Sequence, residues 1–399
     1  MTGHGQHRLL LALPQSLFDL ASGAAVSMRL LACQLASRGW QVRAVCTSAT
    51  ESGRSGLPPV GTRWPAAARQ PLPPVSTNAP ERWRIADGGV DFEVWALPDG
   101  TRQDWAQHAN PAFDTHLAAT LQAFQPDIWL SFGAEARDHQ LAAAAQAQGC
   151  AVVLALHNLA YRDLPLPAHD ALLMPSAYLA RRYAGKTAAT IGVLPPPIWD
   201  DDTRVASNEP IFFTFFNPEP AKGAELIVRL AAALPALPFL VVGGRAGSPE
   251  FAALAQRCGF GQGLANVTMS PGGVPVRDVL ALTRAVLMPS LVDEAAGRVA
   301  AEALANGIPV LASDSGALPD TVTPGGQVVP LGRDARGLAR VDDDTVARWC
   351  AAVERLANDT AWQAARDAAQ AASTRWQPGP QAAAADAWFS GVVATARGR

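Results

Sequence analysis

The feature that most constrains this 399-residue chain is a strand–loop–helix–strand rhythm that runs twice, broken once by the consecutive prolines Pro195, Pro196 and Pro197. Residues 7–13 form an apolar run of β type, and residues 22–38 carry apolar side chains at helical spacing. Gly39 stops that helix, and residues 41–46 make a second strand. A unit of this length is the βαβ element of a parallel, doubly wound sheet. The pattern returns at residues 126–131, 151–156 and 171–174, with helical sequence at 135–148. After the prolines and the acidic run Asp200, Asp201, Asp202, a second series follows, with strands at 211–216, 239–242, 286–288, 308–312 and 327–329. Residues 194–210 read as a stiff interdomain linker, and residues 382–396 as a final helix. At roughly 100 to 200 residues per domain, the length suits about two domains.

Residues 51–107 break the rhythm. Proline and glycine are dense there, and four of the eleven tryptophans (Trp64, Trp83, Trp95, Trp105) fall inside. The segment reads as a long excursion with one strand near 92–97. Its tryptophans are expected to pack the loop onto the domain, in preference to stacking on sugar or lipid.

Composition narrows the function classes. Apolar residues are 49% and charged residues 17%, ample for two cores. A net charge of −3 argues against a protein whose task is gripping nucleic acid. No stretch approaches 18 uninterrupted apolar residues, and residues 9–13 are too short a run for a signal peptide. Five scattered cysteines without CxxC spacing are expected to be reduced thiols, neither a disulfide frame nor a zinc site, in a cytoplasmic protein. P-loop, H-E-x-x-H and G-x-S-x-G motifs are absent.

The densest motif spans residues 289–314. A strand ends at Met288, a loop carries Glu294, a helix opens near Gly297 and closes at Asn306-Gly307, and a buried strand follows. Gly297 lets a ligand approach the first-turn amides of Arg298 and Val299, where the helix dipole favours an anion. Phosphate at those amides, with hydroxyls on Glu294 and Glu302, suits a nucleotide sugar. Taken alone, the pair also reads as an ordinary helix-start acid and a solvated surface residue.

With its flanks, this stretch resembles the E-x7-E region of retaining GT-B glycosyltransferases, in particular family 4 (glycosyl transferases group 1). The resemblance implies an α/β chain of two Rossmann-like doubly wound domains facing a cleft. Residues 1–194, completed by a C-terminal helix at 377–399, would bind the acceptor, and residues 208–376 the nucleotide-sugar donor. It also implies that Glu294 contacts the donor sugar, that Glu302 holds the ribose hydroxyls, and that the residues between them wrap the diphosphate. The family commonly has Gly-Phe where this chain has Ala295-Ala296.

A second element, residues 215–223, ends in Lys222-Gly223. Of 32 lysines and arginines only Lys186 and Lys222 are lysines. The family places an arginine five residues before Lys-Gly, and the two cations bind the diphosphate. Asn217 stands there instead, so the leaving group has one cation fewer. The resemblance also gives Gly23 to a loop facing the donor phosphate, His157 to the donor sugar and Val274 to a turn against the nucleobase.

The expected reaction moves a sugar from a nucleoside-diphosphate donor to an acceptor hydroxyl with retention. The acceptor would be a carbohydrate, a lipid-linked molecule or a protein, with neither cofactor nor metal beyond the nucleotide-sugar co-substrate. Arg181, Arg182 and Lys186 suggest a peripheral contact with anionic lipid at the inner face of the membrane. Two other readings stay open: a noncatalytic nucleotide-sugar-binding partner and a nucleotide-sugar epimerase.

Overall fold

The computed structural model describes residues 7–20, 22–50, 69–75, 80–97, 111–199, 202–244, 248–260 and 263–398. The chain divides into two compact units, one formed by Met1–Pro197 with Pro378–Arg399, the other by Ile198–Gln377.

In the first unit, the described elements are β1 (Arg8–Ala12), α1 (Gly23–Ser37), β2 (Gln41–Thr47), β3 (Arg69–Leu72), β4 (Arg82–Asp87), β5 (Val90–Trp95), α2 (Pro111–Phe124), β6 (Ile128–Ser131), α3 (Ala136–Ala147), β7 (Ala151–Ala155), β8 (Ala171–Met174), α4 (Ala177–Tyr183) and β9 (Thr190–Val193). Among the described residues they form one nine-stranded sheet, ordered β3-β4-β5-β2-β1-β6-β7-β8-β9. From β5 to β9 every pairing is parallel, with Leu9 opposite both Val42 and Ile128. The central strands are buried along almost their whole length, as helices on both faces of a parallel sheet require.

The excursion differs from its sequence reading. Where one strand was expected, β3 and β4 join β5 as an antiparallel edge. Pro71 hid β3, since an edge strand tolerates residues that a central strand cannot, whereas β4, paired on both sides, contains neither proline nor glycine. Trp95 is fully buried, its ring 5.3 Å from that of Phe113, which is packing and not display. Trp64 and Trp105 lie outside the described residues.

The C-terminal helix, Pro378–Arg397, belongs to this first unit. Phe389, Val392 and Val393 enter the same apolar core as Leu9, Leu35 and Ile128. Asp386 accepts a 2.8 Å hydrogen bond from Trp40 Nε1. Trp388 lies against β9 where Gly192 has no side chain; a Cβ there would collide with the indole.

In the second unit β10 (Phe212–Phe216), α5 (Ala224–Ala233), β11 (Phe239–Val242), α6 (Ser248–Arg257), β12 (Val267–Ser270), α7 (Val276–Leu280), β13 (Thr283–Met288), α8 (Arg298–Ala305), β14 (Val310–Ala312), α9 (Leu318–Val322) and β15 (Gln327–Val328) alternate. The six strands are all parallel, ordered β12-β11-β10-β13-β14-β15. A small hairpin, β16 (Gly332–Arg333) with β17 (Ala339–Arg340), and helices α10 (Asp343–Ala357) and α11 (Asp359–Ala372) follow.

Part of the expected linker is not one. Ile198 is fully buried among Ala300, Leu304 and Trp376, and Asn306 bonds the Thr203 carbonyl and the Val205 amide. These residues are structural members of the second unit.

Candidate active site

The strand order of the second unit reverses between β10 and β13. In open parallel sheets, ligands bind beyond the carboxyl ends of strands at such a point. Asn217 to Gly223 follow β10, and Pro289 to Gly297 follow β13, so the two motif segments are neighbours by topology.

They are also stitched together. The Leu291 amide donates to the Ala221 carbonyl at 2.9 Å. Pro220 to Lys222 form a single 3-10 turn closed by Gly223 at φ +89°, where a Cβ would collide with the Pro289 carbonyl. Across this join Lys222 Nζ reaches Glu294 Oε1 at 2.6 Å, with the two side chains 27% and 14% exposed. The structure thus brings together two of the three expected catalytic residues.

The segment after β14 holds Glu294 from the other side. Glu294 bridges to Gly316 in parallel fashion, and its carbonyl accepts from the Ala317 amide at 2.8 Å. Gly316 has φ +62°, and a Cβ there would run into the backbone of Glu294. The Ser290 carbonyl accepts from the hydroxyls of Ser313 (2.8 Å) and Ser315 (2.7 Å), and the Ala296 carbonyl from that of Thr321 at 2.6 Å. Burial raises the pKa of Asp314, but the Leu331 amide and Arg333 outweigh it and hold the carboxyl below its usual range.

Helix α8 opens on Gly297, which adopts φ +68°, ψ +55° against Leu318. Arg298 and Val299 are the first two residues of the helix, the end at which backbone amides hold anions in known sites. Glu302 is not the solvated surface acid that its isolated reading allowed. It is 8% exposed and receives Arg298 Nε at 2.8 Å, one turn back on the same helix.

Asn217, where the family pattern has arginine, has φ +57°. Asn enters this left-handed region at less cost than a long side chain, so the departure coincides with a backbone turn. Gly244 packs on it: a Cβ there would sit 2.7 Å from Asn217 Oδ1. Val274 packs its side chain beside Leu240, Val242 and Val279.

Two expected residues sit on the first unit. Gly23 is the first residue of α1, capped by the Ser22 hydroxyl, which accepts from the Ala25 amide at 3.4 Å. His157 lies two residues past β7, its ring edge-on to Phe132 at 6.0 Å. Sequence reasoning missed Gly316, Ser313, Ser315 and Thr321. The signal of the first three is the Ser-Asp-Ser-Gly cluster at a strand end, visible but without a stated use.

Residues 197–370 match the family described as glycosyl transferases group 1. The matched stretch takes in nearly all of the second unit. The fold of the chain is GT-B. It is similar to the catalytic domain of starch synthase IV from Arabidopsis thaliana, solved with ADP and acarbose (TM-score 0.68, 12% identity, 99% of this chain and 100% of that one). It is similar also to a sucrose-phosphate synthase from Thermosynechococcus elongatus (0.63, 18%, 98% and 100%) and to HepE from Anabaena in complex with UDP and glucose (0.63, 17%, 96% and 99%). No curated protein matches the sequence significantly. The matched residues include Asn217, Lys222, Val274, Glu294, Gly297, Arg298, Val299 and Glu302, whereas Gly23 and His157 precede them. Among the described residues no helix is long and apolar enough to cross a membrane, and no cluster of three or more His, Cys, Asp or Glu could hold a metal.

Proposed function

We propose that this protein is a retaining glycosyltransferase that moves a sugar from a nucleoside-diphosphate donor to an acceptor hydroxyl. The observation that carries this reading is the 2.6 Å contact of Lys222 with Glu294 beside the glycine-opened end of α8. As the glycosidic bond breaks, negative charge grows on the β-phosphate. Lys222 and the Arg298 and Val299 amides are preorganised positive groups for it. Before donor binds, Lys222 and Glu294 neutralise one another. The diphosphate draws the ammonium to itself and releases the Glu294 carboxylate to accept from sugar hydroxyls. Glu302 takes the ribose diol, and the Val274 backbone lies near the base. The roles of Gly23 and His157, retention, and acceptor binding by the first unit rest on the resemblance alone.

The relatives solved with UDP, with UDP and glucose, or with ADP support a nucleotide as the ligand class. Because Lys222 and the amides supply the positive charge, the scheme calls for no metal, and activity is expected to survive EDTA. The test is a thermal-shift panel of UDP, ADP, GDP and their glucose conjugates, followed by product analysis with the anomeric configuration read by NMR. At a hundredfold excess over Kd a native-state ligand adds about 2.7 kcal/mol. Stabilisation by one nucleotide family, lost in Lys222→Ala and Glu302→Ala, supports the reading. A flat response to every nucleotide overturns it. Tight binding without transfer or donor hydrolysis would favour the noncatalytic partner, which Asn217 and Ala295-Ala296 motivate.

A further inference from the structure

Arg298 is oddly placed for a residue that merely stabilises its helix. It is the first residue of α8, where the dipole repels a cation. Its partner Glu302 lies four residues toward the C-terminus, the less favourable order for an i,i+4 pair. Both side chains are withdrawn from solvent, 13% and 8% exposed, so the pair carries a desolvation cost that a surface pair does not. Three rules of helix design are broken for one contact. Breaches of local rules concentrate where function demands them.

We propose that Arg298 is a positioning residue: its guanidinium fixes the Glu302 carboxylate in the orientation that reads the donor's ribose, making the site selective for ribo- over deoxyribonucleotides. This rests on the donor-site reading above. Arg298 then has two separable parts. Its backbone amide faces the diphosphate, while its Nε, 2.8 Å from Glu302 Oε1, sets where the carboxylate points. A carboxylate held so accepts hydrogen bonds from vicinal hydroxyls without reorganising, and a ligand lacking one hydroxyl forfeits that bond.

The experiment is calorimetric titration of the wild type, Arg298→Met, Arg298→Lys, Glu302→Gln and the double variant Arg298→Met/Glu302→Gln. The probes are UDP, ADP and GDP, their 2′-deoxy and 3′-deoxy forms, and inorganic pyrophosphate. The wild type should prefer a ribonucleotide, by about tenfold for each hydroxyl read by Glu302. Arg298→Met should erase that preference and still bind pyrophosphate. The double variant should lose no more preference than either single change, and Arg298→Lys should regain part of it. Should Arg298→Met fail to fold, Arg298→Lys and Glu302→Gln carry the same comparison. An Arg298→Met protein that binds ribo and deoxy forms more weakly by equal factors overturns the inference and leaves the pair structural. A wild type that binds nucleoside diphosphates without regard to the ribose overturns it while sparing the donor site. A wild type that binds none of the probes overturns both.

Discussion

Lys222 and Glu294, 72 residues apart, meet at 2.6 Å because two loops leave neighbouring strands at the point where the sheet order reverses. Neither is held by its own segment alone. Gly223 lets the lysine turn nest against Pro289, and Gly316 grips the backbone of Glu294. The site is thus a joint between three strand ends.

Removing the lysine should cost rate far more than stability. Lys222→Met is expected to lower kcat of sugar transfer about 10²–10³-fold, the usual loss for one preorganised donor at a developing oxyanion. Its melting temperature should stay near that of the wild type, since the pair is partly solvated. Steady-state kinetics beside a melting curve checks both.

Gly316→Ala should cost stability as well as donor binding. The left-handed backbone alone disfavours alanine by about 1–2 kcal/mol, and here the new methyl also displaces Glu294. Gly259→Ala has a similar φ, +90°, but open space around it, and isolates the backbone effect. Denaturant unfolding of the two variants should show Gly316→Ala losing more, with donor binding abolished only there.

The first unit holds an acid-labile contact. Glu93 Oε1 receives Arg82 at 2.7 Å, Trp95 Nε1 at 2.9 Å and His116 Nε2 at 2.9 Å. Burial raises its pKa, but the hydrogen bonds from His116 and Arg82 outweigh this and bring it to about 2, against 4.5 ordinarily. A depressed folded pKa means stability fully present above pH 4.5 and lost progressively as pH falls toward 2. The total is on the order of 3 kcal/mol. Urea titrations between pH 6 and 3 should show that slope, reduced in Glu93→Gln.

The C-terminal helix should be indispensable to the first unit. Phe389 is fully buried in its core, so Phe389→Ala is expected to cost about 3–5 kcal/mol. Unfolding followed by fluorescence reports it directly through Trp40, whose ring lies 6.1 Å from that of Phe389.

Much of this was legible from the chain. The strands at 239–242 and 171–174 and the helix at Gly297 stand where pattern and punctuation put them, because those signals are local. Less legible was whatever depends on a distant neighbour. That Gly316 must lack a side chain follows from Glu294 lying against it, and nothing within the sequence of either loop says so. Taken alone, Glu302 also reads as a surface acid, because its burial is decided by the helices and strands packed around α8. Strand β3, with Pro71 inside it, was lost among prolines because an edge needs only half the hydrogen bonds of an interior strand.

The C-terminal helix carries a consequence for how the chain is made. The first unit is interrupted: the roughly 180 residues from Ile198 to Gln377 are synthesised before the helix that fills its core. At about 5–20 residues per second the ribosome needs roughly 10 to 40 seconds for that insertion. Throughout that interval the places of Trp388 and Phe389 in the first core stay unfilled, and at its end the second unit has every residue it needs. The part made first is therefore the part finished last, and the nascent protein passes through a stage with one completed domain and one exposed apolar face.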